Sequence, residues 1–291
     1  MRRLHHLTLG LVIAWRIHDA GAQQSTQLHF FPVDIKYRAS VNGERFSCGR
    51  SYSFGSQNVA ATPSDLRLYV HNIVLITDKI VGYPLALEPD SLWQTGDVAL
   101  LDFENGTGPC SNGTPETRDV VHGSVAIPEG ERITGIMFTL GVPEKVNHVD
   151  VTKAPAPLAL TRMFWAWNTG HKFLRVDMGV QKPEDWIMHL GSMGCGRDLK
   201  SAACSVANRP TIRLNDFDPE HDVIDLDIGA LFHSATVGDS TGGCMSRLGD
   251  KSCAPMFAAL GLSADGSTGP AQSVFRVIHA ADRSTGSGKM R

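Results

Sequence analysis

The segment Met163-Phe-Trp-Ala-Trp-Asn-Thr-Gly-His-Lys-Phe173 holds the densest set of chemically capable side chains in the chain. It brings a thioether, two indoles and an imidazole within nine residues. Nine histidines follow the first 22 residues, scattered singly: His29, His71, His122, His148, His171, His189, His221, His233 and His279. A β-fold can collect single histidines from separate strands at one point, as copper proteins do. His71 lies in a β-forming run, Tyr69-Val-His-Asn72, and His148 in a post-strand loop, Val146-Asn-His-Val-Asp150. In a strand, alternate residues share a face. Met163, Trp165 and Trp167 are therefore expected on one side of a strand, returned by a turn at Asn168-Thr-Gly170. On pattern alone the same stripe reads as aromatic core filling.

Other motifs carry less. Gly238-Asp-Ser-Thr-Gly-Gly243 resembles a serine-protease signature, but an extra Thr interrupts it and no histidine motif precedes it, so a surface turn is expected. There is no His-Glu-x-x-His, P-loop or Gly-x-Ser-x-Gly, and no nucleophile–base pair is recognisable, so an enzyme is not expected. Asp102-Phe-Glu-Asn-Gly-Thr-Gly108 is an oxygen-rich loop with some calcium character. It lacks EF-hand spacing and reads better as an Asx turn.

These groups must be positioned by strands. Leu28–Ile35, Leu66–Ile76, Arg132–Gly141, Met163–Trp167, Lys172–Met178, Ile212–Leu214 and Val223–Ile228 are apolar or alternating and bounded by Gly, Pro, Asn or Asp. Only Ala254–Leu262 reads as a short helix. The expected fold is all-β, an antiparallel sandwich or barrel-like domain with disulfide-stapled loops and little helix. One domain over residues 23–275 is expected, with a C-terminal lobe from about 183 as a variant of that reading, and a flexible tail over 276–291.

Arg2 and Arg3, the apolar run Leu7–Trp15 and Ala20-Gly-Ala22 form a secretory signal pattern with cleavage after Ala22. No later stretch is long and apolar enough for a membrane span. Net charge is −3 with no basic run, so nucleic acid is not an expected partner. All six cysteines, Cys48, Cys110, Cys195, Cys204, Cys244 and Cys253, lie beyond the signal, and an even count in an exported chain points to disulfides. Six cysteines allow 15 pairings. The two equally spaced local pairs plus Cys48–Cys110 are the favoured one. A zinc or iron–sulfur site is disfavoured because Cys-x2-Cys is absent, and Cys-x-x-Cys-His, which attaches a c-type haem, is absent too.

Several segments together resemble the MbnP family, the metallo-mystery-pair four-Cys proteins of methanobactin operons. They are Phe46-Ser-Cys-Gly49, Asp65-Leu-Arg-Leu-Tyr-Val-His-Asn-Ile73, Trp93-Gln94 and Ala99-Leu-Leu-Asp-Phe-Glu-Asn-Gly106. Cys110-Ser-Asn-Gly-Thr114, Leu140-Gly-Val-Pro143, Asn147-His148, the Trp-x-Trp segment, Gly194-Cys195 and Cys244-Met-Ser246 continue in the family's order. The resemblance implies a periplasmic protein that binds one copper ion, mainly monovalent, and serves copper homeostasis. It implies that the first tryptophan of Trp-x-Trp, here Trp165, is oxidised to kynurenine by a separate dihaem enzyme of the cytochrome c peroxidase and MauG type, called MbnH.

An indole nitrogen only donates hydrogen bonds, whereas the aryl amine of kynurenine has an available lone pair. The expected ligands are His71, His148 and Trp165 as kynurenine, with Met163 added from alternation and softness. Trp167 is packing or an electron relay. The family usually reads Gly-Tyr-Lys-Phe where this chain has Gly170-His-Lys-Phe173; with a two-residue turn His171 pairs with Asn168 and faces away from Trp165, and another loop length reverses that, leaving His171 as either an added ligand or only a replaced tyrosine. The competing reading is a metal-free exported β-sandwich that recognises a protein or carbohydrate through an aromatic stripe.

Overall fold

A computed structural model of the chain describes residues 27–166, 169–180, 185–196 and 203–280. The signal pattern over 1–22, Trp167 and the end of the tail lie outside the described residues.

Two large sheets carry the fold, which is mostly strand and has no closed barrel. The smaller sheet is built on Leu28–Val41, paired antiparallel to Val120–Pro128 and parallel to Val223–Asp227. Every second residue from Val33 to Val41 is buried (Val33, Ile35, Tyr37, Ala39, Val41), the period-2 pattern of a half-covered strand. The larger sheet is organised by one long strand, Val59–Thr77. It pairs with Val98–Asp102, Ile133–Leu140 and Leu174–Val180, and the last of these pairs with Asp185–Leu190. The long strand is buried on both faces from Asp65 to His71, with Leu66, Leu68 and Val70 on one face and Asp65, Arg67, Tyr69 and His71 on the other.

The inner faces meet in a single apolar cluster. Tyr37 of the smaller sheet packs edge-on against Phe138 of the larger, and Phe138 against Phe275. Leu68, Leu190, Phe217, Phe232 and Phe257 all belong to this cluster, so it runs across residue 183 without a break. The last strand, Phe275–Ile278, pairs with Val223–Asp227, and Arg276 ion-pairs with Asp225 and Asp227. Ordered structure therefore passes the boundary at 275 expected from the glycine-rich tail.

Three disulfides close the loops, in the favoured pairing: Cys48–Cys110, Cys195–Cys204 and Cys244–Cys253. Besides the helix Ala254–Ala259, a second short helix, Ile228–Phe232, follows the strand ending at Asp227. Asp227 caps it by accepting from the amides of Gly229 and Ala230, which is why the apolar run stops being a strand there. Gly238–Gly243 is a turn, with Asp239 accepting from Thr241 and from the Trp186 indole.

Candidate functional site

Cross-strand register places a row of polar side chains on the outer face of the larger sheet. Arg67 lies opposite Asp102 on one side and Arg175 on the other, and Arg175 lies opposite His189. Asp65, Arg67, Tyr69 and His71 follow at every second position of the long strand and so share this face. Opposite His71 stands Thr139, while its neighbour Phe138 points into the sandwich core.

His71 is almost wholly buried, and its Nδ1 lies 2.8 Å from the carbonyl oxygen of Gly141. A carbonyl only accepts, so Nδ1 carries the proton and Nε2 keeps its lone pair. Burial lowers the imidazole pKa, and the Gly141 contact opposes this only in part, so the ring is neutral at neutral pH. Gly141 is required here. Its φ is +115°, and a Cβ would stand 2.7 Å from the Phe173 ring.

Asn147, fully buried in the loop after Leu140, ties this segment to the tryptophan hairpin. Its Oδ1 accepts from the His171 amide at 3.1 Å, and its carbonyl lies 2.9 Å from His171 Nδ1. Its Nδ2 lies 3.0 Å from His148 Nε2, which in turn is 3.3 Å from Cys204 Sγ. His148, Cys195 and Cys204 offer donor atoms all within 4.8 Å of one another, the two sulfurs being joined as a disulfide.

His171 has no exposure, and its Nε2 faces the Leu158 carbonyl at 3.0 Å. Both ring nitrogens are thus directed at carbonyls, and the ring packs edge-on against Phe164 and Tyr69. It stands in register with Phe164, not Asn168, because the turn is longer than two residues. The His171 ring thus lies against Phe164 and Tyr69, while the Trp165 ring lies against His189. Its surroundings are those of a clamp.

The placement of Met163 differs from the alternation argument. Met163 ends a 3-10 turn, Thr161–Met163, and the strand covers only Phe164–Ala166. Its side chain lies in the apolar core with no exposure. Strand alternation therefore does not put Met163 beside Trp165.

Trp165 instead lies against Gly191 and His189, with ring centroids 6.3 Å apart in the second case. Its Nε1 is buried and has no hydrogen-bond partner. Neither has His189 Nδ1, while His189 Nε2 donates to Asp177 at 2.6 Å. Burial would raise the Asp177 carboxyl, but hydrogen bonds from His189 and Arg175 outweigh it and hold the pKa at about 2. Burial lowers His189, leaving a neutral imidazole with an unused lone pair. Sequence inspection passed over His189. Its signal was the alternation Trp186, Met188, Leu190, which marks a strand that the list of expected strands omitted.

The structure thus links His148 to His171 through Asn147 and sets Trp165 beside His189. His71 stands at the start of the loop that carries His148. The donor chemistry fits monovalent copper: neutral imidazoles, two of them with the second nitrogen fixed by a carbonyl or a carboxylate, as metal-binding histidines usually are. The acidic loop after Asp102 serves another cation. Asp65, Asp102 and Glu104 surround the Arg67 guanidinium, which makes a two-toothed contact with Asp65 at 2.8 and 2.7 Å.

The MbnP family model matches residues 31–246. The chain belongs to the MbnP family. Among solved structures it is similar to MbnP from Methylosinus trichosporium, with 29% identity and a TM-score of 0.75, covering 87% of this chain and 99% of that one. No curated protein sequence matches it significantly. The family match spans His71, His148, Trp165 and His189, and so contains every residue of the candidate site.

Two consequences of this MbnP-family site can be measured. A Cβ on Gly191 would come within 2.5 Å of the Trp165 ring and 2.9 Å of the His171 carbonyl oxygen. Gly191→Ala should therefore displace Trp165 and cost about 1–3 kcal/mol from overpacking. A lower urea midpoint with an altered near-ultraviolet tryptophan signal is the expected result. The second concerns acid. Burial lowers the folded pKa of His171, so as pH falls below the unfolded value of about 6.5 the unfolded chain takes up a proton that the folded chain refuses. Stability conferred at higher pH is lost over that window. Urea midpoints at several pH values should fall more steeply on acidification for the wild type than for His171→Gln, which cannot titrate.

Proposed function

We propose that this MbnP-family chain is a periplasmic copper-binding protein of copper homeostasis, exported by its N-terminal signal. It takes one copper ion, mainly monovalent, at a site completed by oxidation of Trp165 to kynurenine. A dihaem enzyme of the MauG and cytochrome c peroxidase type carries out that oxidation. The observation that carries the reading is the buried Trp165 Nε1 without a hydrogen-bond partner. An indole N–H cannot bind a cation, and a buried unpaired donor costs stability. Opening the pyrrole ring and losing the formyl group leaves an amine whose lone pair is available, in the same wall of the fold.

The neutral Nε2 of His71 and the imidazole of His148 supply nitrogen donors. His189 Nδ1 is a third, and it stands nearest Trp165. Met163 supplies a thioether only if the 3-10 turn before Trp165 moves, and is the weakest member of the set. Imidazole and amine donors suit an ion that accepts few ligands of borderline softness.

The test is co-expression with the dihaem enzyme of the same operon type. The peptide containing Trp165 should then show the mass of kynurenine, and purified protein should carry stoichiometric copper. Copper bound equally well by Trp165→Phe would sink the reading and leave the aromatic stripe as a recognition surface or plain core.

A further inference from the structure

We propose that the Cys195–Cys204 disulfide masks a second soft-metal site, which opens on reduction and holds one cuprous ion between the two sulfurs and His148. The donor atoms of these three residues already lie within 4.8 Å of one another, with His148 Nε2 3.3 Å from Cys204 Sγ. No large rearrangement is needed to gather them.

Two features separate this disulfide from the others. Cys110, Cys244 and Cys253 are at most 2% exposed, so each of their bridges has at least one sealed end. Cys195 and Cys204 are both partly exposed, which gives an attacking thiolate access to either sulfur. The second feature is what remains after reduction. Cys195 and Cys204 face each other in register across the two-stranded hairpin formed by Met193–Cys195 and Cys204–Val206. Met193 pairs with Val206 in the same hairpin, and Asn208 Nδ2 donates to the Gly191 carbonyl at 2.7 Å just beyond it. The backbone therefore keeps the two thiols adjacent without the covalent bond.

The reductant is a dithiol, as in thiol–disulfide exchange proteins. The S–S bond breaks, the dithiol is oxidised to its own disulfide, and its two protons reach the freed sulfurs. Both protons pass to solvent when the thiolates take up the ion. Thiolate with imidazole is a donor set that selects monovalent copper over hard cations. His148 belongs to both this site and the proposed Trp165 site, so the redox state of the pair would decide which of the two it serves. The inference rests on the copper reading only for that competition.

The experiment uses the full mature chain as Trp165→Phe, which cannot form kynurenine. Native protein is treated with dithiothreitol, freed of it without air, and titrated with cuprous ion against a chromogenic chelator. Alkylation followed by peptide mass identifies the reduced pair. Expected is selective alkylation of Cys195 and Cys204, and one tight equivalent of copper that the oxidised protein lacks. That equivalent should vanish in Cys195→Ser/Cys204→Ser and weaken at least about tenfold in His148→Ala, as loss of a ligand requires. Circular dichroism confirms that these variants fold. No gain on reduction, resistance of this disulfide, or a gain that survives the double serine variant would overturn the proposal. Failure of the Trp165 site is read separately, from the copper content of co-expressed wild type.

Discussion

His71→Ala, co-expressed with the dihaem enzyme, should bind cuprous ion at least about 100-fold more weakly than wild type, because a ligand is lost and not merely its support. The reasoning is geometric. The proton on Nδ1 is spoken for by the Gly141 carbonyl, so the ring cannot rotate away without orphaning a buried group. Burial keeps it neutral, so its Nε2 is ready to bind without first losing a proton. Competition with a chromogenic cuprous chelator measures the change. His29→Ala is the control, since that side chain is 56% exposed at the start of the strand Leu28–Val41. An unchanged affinity in His71→Ala removes His71 from the ligand set. Kynurenine formation in the same sample, followed by peptide mass, separates a lost ligand from a lost modification.

Arg67→Met should be the most destabilising single change in the chain. Arg67 is 1% exposed, and Asp65, Asp102 and Glu104 around it are 0%, 4% and 0% exposed. Removing the guanidinium leaves Asp102 and Glu104 buried without their counter-charge, and leaves Asp65 with Arg175 alone. Breaking a buried pair in this way costs about 3–5 kcal/mol. For a chain of this size that is a fall in melting temperature of roughly 6–20 °C. Arg67→Lys should recover only part of it, because an ammonium cannot reproduce the two-toothed contact with Asp65 or reach Asn112 as well. Denaturant midpoints for the two variants give the comparison. A loss below about 1 kcal/mol for Arg67→Met, the range of an exposed pair, would mean the cluster contributes little.

The strands, the disulfide pairing and the family were legible because each leaves a local or countable trace. Alternation marks Leu28–Val41, and even, regularly spaced cysteines mark the bridges. The candidate site was legible only where motif carried it, at His71, His148 and Trp165. His189 was not, because its meaning depends on register: Arg175 lies opposite it and Asp177 accepts from it across the strand pair. Nothing within either strand announces that partnership. Met163 was misplaced for a related reason. It ends a 3-10 turn just before the strand that carries Trp165, and three residues of turn leave no periodic signature. The loop after Asp102 has the Asx character read from its own sequence, with Asn105 Oδ1 accepting from the Thr107 amide, but its place beside Arg67, from a strand more than thirty residues earlier, leaves no local trace.

The long strand Val59–Thr77 has a consequence for how such a protein can diversify. Asp65, Arg67, Tyr69 and His71 occupy successive same-face positions along it, so about 13 Å of backbone separates the arginine from the histidine. A one-residue slip would turn all four to the other side together. Descendants of this chain can therefore lengthen exposed loops, but an insertion within residues 65–71 would remove the stabilising cluster and the proposed copper donor in a single event. Heritable variation around the proposed copper site would then arise in the covering hairpin and loops, with the strand beneath passed on unaltered.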